Sequence, residues 1–297
     1  MAAPGDGGRF LVIFDFDETL VNESSDDAVV RTAPGQALPD WLRASYREGQ
    51  YNEQMQRVLA YLAQQGVTES AIRAEIQSIP ETPGLSALLD FLRAHAQDFE
   101  CVVLSDANSV FIEAWLQHVG ARQLFLEIFT NPAHFDDSGR LVLAPFHAHS
   151  CPRCPDNMCK QHILRDYLGR RSDERRRPFQ RVFYVGDGAN DVCPCLALGT
   201  ADVAFARRDF PMHRILTHMQ QMPAALTHTQ QQTPAALTHT DTQTDTHTQQ
   251  QTPAALTHTH THTHTQQQTP ATLRATVQPW SSGHDVMEYL QTAVGER

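Results

Sequence analysis

The chain has 297 residues, 41% of them apolar, and a formal net charge of −11. That length suits one large or two modest domains, and that charge argues against a nucleic-acid partner, whose phosphates demand a basic face. No apolar run approaches the roughly 20 residues of a membrane-spanning helix, and MAAPGDGGRF lacks the charged-then-apolar pattern of a signal peptide, so the expected compartment is the cytosol.

Taken in chain order, the first apolar run, FLVIF, reads as a buried strand that ends in FDFDETL. Four helix-like stretches follow: SDDAVVRTA, PDWLRASYREG, YNEQMQRVLAYLAQQ and ESAIRAEIQSI. They read as a helical cap over 22–81, with Pro80 and Pro83 marking the return to a core built from 9–21 and 82–297. LSALLDFLRAHA is the next helix, CVVLSD the next strand, and FIEAWLQHVG a helix ending on Gly120. KQHILRDYLG predicts a helix ending on Gly169, before the strand RVFYVGDG. DVAFA and LRATVQPW add strands, and DVMEYLQTAV a last helix. Strands alternating with helices predict an α/β fold with a doubly wound (Rossmannoid) parallel sheet, whose ligands sit beyond the carboxyl ends of the strands.

Residues 222–269 stand apart as a Thr/His/Gln repeat punctuated by TPAALTHT. With few large apolar groups to offset the entropy of ordering, the tract reads as a disordered loop. Metal binding by its histidines is the alternative, weakened because Thr-His alternation offers no fixed geometry.

FDFDETL sets Asp15 and Asp17 two residues apart, which in an extended strand points both the same way. Two close buried carboxylates repel unless a cation sits between them. With Asp187 from YVGDGAND they can gather oxygen ligands for a hard cation, and magnesium fits best because it leaves positions for a substrate phosphate. One carboxylate can then attack phosphorus while the other, two residues on, protonates the leaving alcohol and later deprotonates water. Thr19 and Ser105 can donate to phosphoryl oxygens, and Lys160, opening a predicted helix, can add positive charge there. Asp191 reads as a residue behind the metal site that holds the loop or the metal's waters.

DxDxT, an apolar strand ending in Ser-Asp, a lone lysine and GDGxND, in this order, resemble the haloacid dehalogenase (HAD) superfamily of aspartyl-phosphate phosphatases. FDFDETLVNESSDDAVVRTAPG, LSDAN, HAHSCPRCPDNMCK, FYVGDGANDVCP and FARRDFPMHR are similar to the phosphoethanolamine/phosphocholine phosphatase family, over about 9–219 and 272–293. The resemblance implies a HAD-like core, Asp15 as nucleophile and Asp17 as acid/base. It also implies magnesium on Asp15, Asp17 and Asp187, and substrate contacts at Asp26 and Asp106. It further implies a small phosphomonoester as substrate, phosphate release for skeletal mineralisation, and a place inside matrix vesicles. The repeat is the departure from the family pattern.

The acidic ESSDD suits an ammonium or trimethylammonium headgroup, with Trp41, Tyr46 and Tyr51 near enough in sequence for cation–π contact. The other reading makes Asp26 and Asp27 a helix N-cap pair. Arg31, Arg43, Arg47 and Arg57 leave open a substrate carboxylate, as in phosphoserine, and pyridoxal phosphate is a further alternative. A non-catalytic scaffold is the competing class; it gives no reason to keep Asp15, Asp17, Lys160 and Asp187. His147, His149, Cys151, Cys154 and Cys159 resemble half of a structural zinc site. A single CxxC is a weak signal, so a loop of buried thiols that positions Lys160 is the favoured reading, with Cys193 and Cys195 as packing residues.

Overall fold

The computed structural model describes residues 10–47, 49–221 and 272–295; the 222–269 repeat lies outside the described residues. Its centre is a six-stranded parallel sheet of order β3-β2-β1-β6-β7-β8. The strands are β1 (Phe10–Phe14), β2 (Phe99–Asn108), β3 (Phe125–Asn131), β6 (Arg181–Gly186), β7 (Val203–Arg207) and β8 (Thr276–Trp280). A short antiparallel hairpin, β4 (Ala133–Phe135) with β5 (Leu141–Leu143), stands outside the sheet.

Every residue of β1 is buried, and alternate side chains enter two different cores. Phe10, Val12 and Phe14 pack with Leu85, Leu88 and Leu92 of α5 (Leu85–Ala94) and with Val286 and Leu290 of α10 (Gly283–Gly295). Leu11 and Ile13 pack with Ile163, Leu164 and Tyr167 of α7 (Lys160–Arg175) and with Met212 and Leu216 of α9 (Pro211–Gln221). A strand covered on both faces has no polar side, which is why FLVIF is apolar throughout. The architecture is the α/β fold expected from the alternating strands and helices, a parallel sheet with helices on both faces.

Between β1 and α5 lie α1 (Ser25–Val30), α2 (Asp40–Arg43), α3 (Tyr51–Gln64) and α4 (Glu69–Gln77). The two connections of this insert run side by side: Val21 and Glu81 form an antiparallel bridge, Asn22 N donates to Pro80 O at 2.8 Å and Thr82 N to Leu20 O at 3.1 Å. Trp115, on α6 (Ser109–His118), donates from Nε1 to Ile79 O at 3.0 Å, tying the return connection to the core.

The structure adds β3, the hairpin and α9 to the elements expected. It also carries α7 past Gly169 to Arg175, with Arg176 in the left-handed region at φ 56°. The extra turns are held from outside the helix, because Arg171 pairs with the buried Glu100 and Arg170 with Glu127 at 2.6 Å. Tertiary contacts of this kind override the modest helix penalty of one exposed glycine. Among the described residues no helix is long and apolar enough to cross a membrane.

Candidate active site

The neighbouring strands β2, β1 and β6 end side by side, and each delivers chemistry at its carboxyl end. Asp15 follows β1, Ser105 and Asp106 sit near the end of β2, and Asp187 follows β6. Asp15 N donates to Val185 O at 2.9 Å, which locks its backbone against β6, and Asp15 Oδ1 accepts from Phe16 N at 2.7 Å.

β1 ends at Phe14, so Asp15 and Asp17 are not in extended strand, a correction to the expected same-side arrangement. The chain closes instead on one carbonyl: the amides of Thr19, Leu20 and Val21 all donate to Phe16 O. Phe16, at the head of this turn, packs edge-on against Trp115, with ring centroids 5.9 Å apart. Glu18 takes φ 52°, an unfavourable region for a side-chain-bearing residue, and Arg207 holds it by donating to Glu18 O at 2.5 Å and Oε2 at 3.0 Å. The turn sends Asp17 toward the helical insert, where its Oδ1 accepts from Ser25 N at 2.7 Å.

Lys160, the first residue of α7, is 1% exposed and bridges two carboxylates. Its Nζ donates to Asp15 Oδ2 at 2.8 Å and to Asp191 Oδ1 at 2.7 Å. Asp191 also accepts from Tyr184 OH at 2.6 Å, Asp187 N at 3.1 Å and Gly188 N at 3.0 Å, and so holds the acidic loop in shape. Gly186 is a requirement of that contact: a Cβ there would lie 2.4 Å from Asp191 Oδ2. Thr19 Oγ1 donates to Asp187 Oδ1 at 3.3 Å. Ser105 Oγ accepts from Ala107 N at 3.2 Å, leaving its proton for another acceptor.

Carboxylate oxygens of Asp15, Asp187 and Asp191 all lie within 4.8 Å of one another. Asp17, expected to join Asp15 and Asp187, has its carboxylate outside this group because the turn after β1 directs it to Ser25. Buried hard-oxygen donors with surplus negative charge fit magnesium rather than a soft metal.

Burial and the carboxylate of Asp191 push Asp15 well above the usual carboxylate range, against the pull of Lys160. Burial likewise raises Asp17, with Asp26 adding to it, and raises Asp187, with Asp191 and Asp15 adding. For Lys160 burial opposes the charge, yet Asp15 and Asp191 hold it protonated well above an ordinary lysine. Asp26 is raised to about 7 by burial, against a hydrogen bond from Tyr51, with Asp106 and Asp27 adding. Carboxyls raised on folding bind more protons folded than unfolded, so their stability contribution is complete below the unfolded value of 3.8 and is lost as pH rises through the folded values. Chelated protein should therefore lose stability on going from about pH 4 to about 7, and magnesium should raise the melting temperature more at the upper end; thermal melts with and without chelator check both.

In the insert, Ser24 caps α1 by accepting from Asp27 N at 3.3 Å, so Asp26 and Asp27 are not the N-cap pair of the other reading. Asp26 is buried in the first turn of α1, Asp27 is exposed, and Tyr46 meets Tyr51 edge-on at 6.5 Å. Trp41 is 62% exposed and packs instead on Tyr61 at 6.2 Å. Arg31 is engaged by Glu23 and Glu75, Arg43 by Asp40, and Arg57 by Gln54 and Ser45, while Arg47 is exposed.

Sequence reasoning missed Tyr184, Arg207 and Asn131. Asn131 Nδ2 donates to Asp106 O at 2.6 Å and to Ala107 O at 3.0 Å, fixing the end of β2. A tyrosine inside an apolar strand and an asparagine at the end of an unrecognised one gave no periodic signal.

The Putative Phosphatase family model matches residues 10–237. The chain is 60% identical over 219 residues to the zebrafish (Danio rerio) probable phosphatase phospho1, covering 73% of this chain and 78% of that one. It is 52% identical over 221 residues to the human (Homo sapiens) phosphoethanolamine/phosphocholine phosphatase, covering 74% and 82%. It is 41% identical over 213 residues to the mouse (Mus musculus) pyridoxal phosphate phosphatase PHOSPHO2, covering 72% and 88%. With its carboxylates, lysine and loop glycine gathered at the strand ends, the chain belongs to the Putative Phosphatase family of HAD-type phosphoric monoester hydrolases.

Proposed function

We propose that the chain is a magnesium-dependent phosphatase acting on phosphoethanolamine and phosphocholine through an aspartyl phosphate on Asp15. The observation that carries the substrate class is the buried carboxylate of Asp26 beside Asp17. Asp26 is buried and hydrogen-bonded by Tyr51, its charge adds to the rise of Asp17, and the carboxylate of Asp106 adds to its own rise. A headgroup cation relieves that repulsion and meets the Tyr46–Tyr51 rings. The engaged arginines Arg31, Arg43 and Arg57 speak against a carboxylate-bearing substrate such as phosphoserine.

Asp15 Oδ attacks phosphorus and the bond from phosphorus to the alcohol oxygen breaks. Asp17, held protonated by its raised pKa, gives its proton to that oxygen, releasing ethanolamine or choline. The Asp17 carboxylate then takes a proton from water, whose oxygen attacks the aspartyl phosphate; inorganic phosphate leaves and Asp15 is restored. Lys160 orients Asp15 through its bond to Oδ2 and offsets charge on the phosphoryl oxygens. Ser105 supplies a hydroxyl donor to the same oxygens, and Thr19 would turn its hydroxyl from Asp187 Oδ1 to join it when the phosphoryl group binds. Asp15 and Asp187, with Asp191 alongside, would hold magnesium, which supplies further charge neutralisation for the phosphoryl group.

The test is phosphate release from phosphoethanolamine, phosphocholine, phosphoserine and pyridoxal phosphate, with magnesium and with chelator. The two cationic alcohols should be favoured and chelator should abolish turnover. Asp26→Asn should raise KM for them about tenfold, or about 1.4 kcal/mol, with little change in kcat. Because Asp26 is raised to about 7, wild-type KM for phosphocholine should climb as pH falls below that value and the carboxyl takes a proton, while the variant stays flat. Equal or better turnover of pyridoxal phosphate would sink the substrate assignment and leave the mechanism standing.

A further inference from the structure

The loop before α7 carries Cys151, Cys154 and Cys159, and the fold brings Cys193 of α8 (Val192–Cys195) to them. The four sulfurs all lie within 4.8 Å of one another, although Cys151 and Cys193 are 42 positions apart in sequence. From these four sulfurs we infer a structural zinc site, closed by the thiolates of Cys151, Cys154, Cys159 and Cys193, distinct from the carboxylate site and independent of the reading given to it.

Two observations support the assignment. The Cys151 and Cys193 sulfurs are 3.7 Å apart. A disulfide requires about 2.0 Å, whereas the edge of a sulfur tetrahedron around zinc, with bonds of about 2.3 Å, is about 3.8 Å. All four cysteines are free thiols, with Cys159 and Cys193 buried and Cys151 and Cys154 half-buried, the pattern of a site filled through its loop side.

His147 and His149, which the half-site alternative counted beside the cysteines, hold the loop through their ring nitrogens. His147 Nε2 accepts from Cys159 N at 3.3 Å, and His149 Nδ1 accepts from Cys151 N at 3.1 Å. His149 Nε2 meets Pro155 O at 2.8 Å. Two cysteine backbones are thus fixed by imidazoles, which pre-forms the cage. Phe146 N and Asn157 Nδ2 both donate to Asn131 Oδ1 at 3.2 Å, anchoring the loop to the end of β3. A soft four-thiolate set selects zinc over magnesium, and binding sends the thiol protons to solvent.

The placement gives the ion a structural purpose. Cys159 immediately precedes Lys160, and Cys193 follows Asp191 by two residues. Gln161 Nε2 also donates to Cys193 O at 2.9 Å. Zinc at the four sulfurs would staple the start of α7 to the acidic loop, the two segments that meet in the Lys160–Asp191 ion pair.

The experiment uses the full chain, expressed with zinc in the medium and purified under reducing conditions without chelator. Elemental analysis should find about one zinc per chain that survives dialysis. Cobalt(II) exchanged into the protein should show tetrahedral ligand-field absorption together with thiolate-to-cobalt charge-transfer bands. Those bands require sulfur ligands, so neither the His-rich repeat nor the carboxylate cluster can imitate them. Cys193→Ser should abolish or strongly shift the bands, and Cys101→Ser, on β2 outside the cluster, should leave them intact. Wild-type protein without charge-transfer bands would overturn the proposal whether or not any variant folds. So would iron in place of zinc, unchanged bands in Cys193→Ser, or a Cys151–Cys193 disulfide in freshly reduced, metal-free protein.

Discussion

Asp15→Asn is expected to reduce phosphate release by about 10⁴-fold or more while leaving the fold in place. The amide keeps an acceptor for Phe16 N, and Lys160 keeps its bond to Asp191, so the turn after β1 and the start of α7 retain their anchors. What is lost, on the mechanism proposed above, is the nucleophile. Stability should change little, by about 1 kcal/mol at most, because Asp15 is a buried carboxylate already disfavoured by burial and by Asp191, and its ion pair with Lys160 repays only part of that. Phosphate release measured beside a thermal melt separates the two effects. Activity within tenfold of wild type would remove Asp15 from the mechanism; lost activity with an unfolded protein would show only that the site is structural.

Lys160→Met should act on both stability and rate. The side chain is the buried cation between Asp15 and Asp191, and its removal leaves two carboxylates, 3% and 0% exposed, facing each other. Breaking a buried pair this way costs about 3–5 kcal/mol. The loss should depend on pH in a direction that identifies its cause. Without the lysine, the carboxyls are raised further in the folded state and bind protons there that the unfolded chain releases, so the deficit should shrink as pH falls toward the ordinary carboxylate range. Magnesium should narrow the deficit at neutral pH. Turnover should fall by about 10³-fold through loss of charge at the phosphoryl oxygens. Denaturant melts of both proteins, with chelator at acidic and neutral pH, check the first part. A deficit that does not move with pH would mean that packing, not charge, is what Lys160 contributes.

The parts of this fold legible in the sequence are those whose environment imposes a simple pattern. β1 is buried on both faces and therefore apolar at every position, and the strand ends advertise themselves through acidic and glycine-bearing turns. β3 was hidden because FLEIFTN is an edge strand with Leu126 exposed and Glu127 paired to Arg170, so neither period shows. The end of α7 was misplaced because the residues that extend it act through Glu100 and Glu127, on other elements.

The site divides in the same way. Asp15, Lys160 and Asp187 announce themselves by type and by position at element boundaries. Their connections do not: Lys160 meets Asp15 across 145 positions, and the fourth sulfur of the cysteine cluster comes from a helix that carries no metal-ligand spacing of its own. Asp17 was placed by assuming that the strand continued. The chain instead turns at Phe16, whose carbonyl takes three amides, and the Asp17 carboxylate meets Ser25.

The paired connections between the helical insert and the sheet bear on the place of Asp17. Two adjacent, hydrogen-bonded strands can flex together but cannot slide apart without breaking Asn22–Pro80 and Thr82–Leu20. Opening of the insert is thus confined to a swing about one crossing. Asp17 lies on the sheet side of that crossing and Ser25, which holds its carboxylate, on the other. Because that hydrogen bond spans the crossing, any swing of the insert would load it, and the place of the Asp17 carboxylate is coupled to the place of the insert.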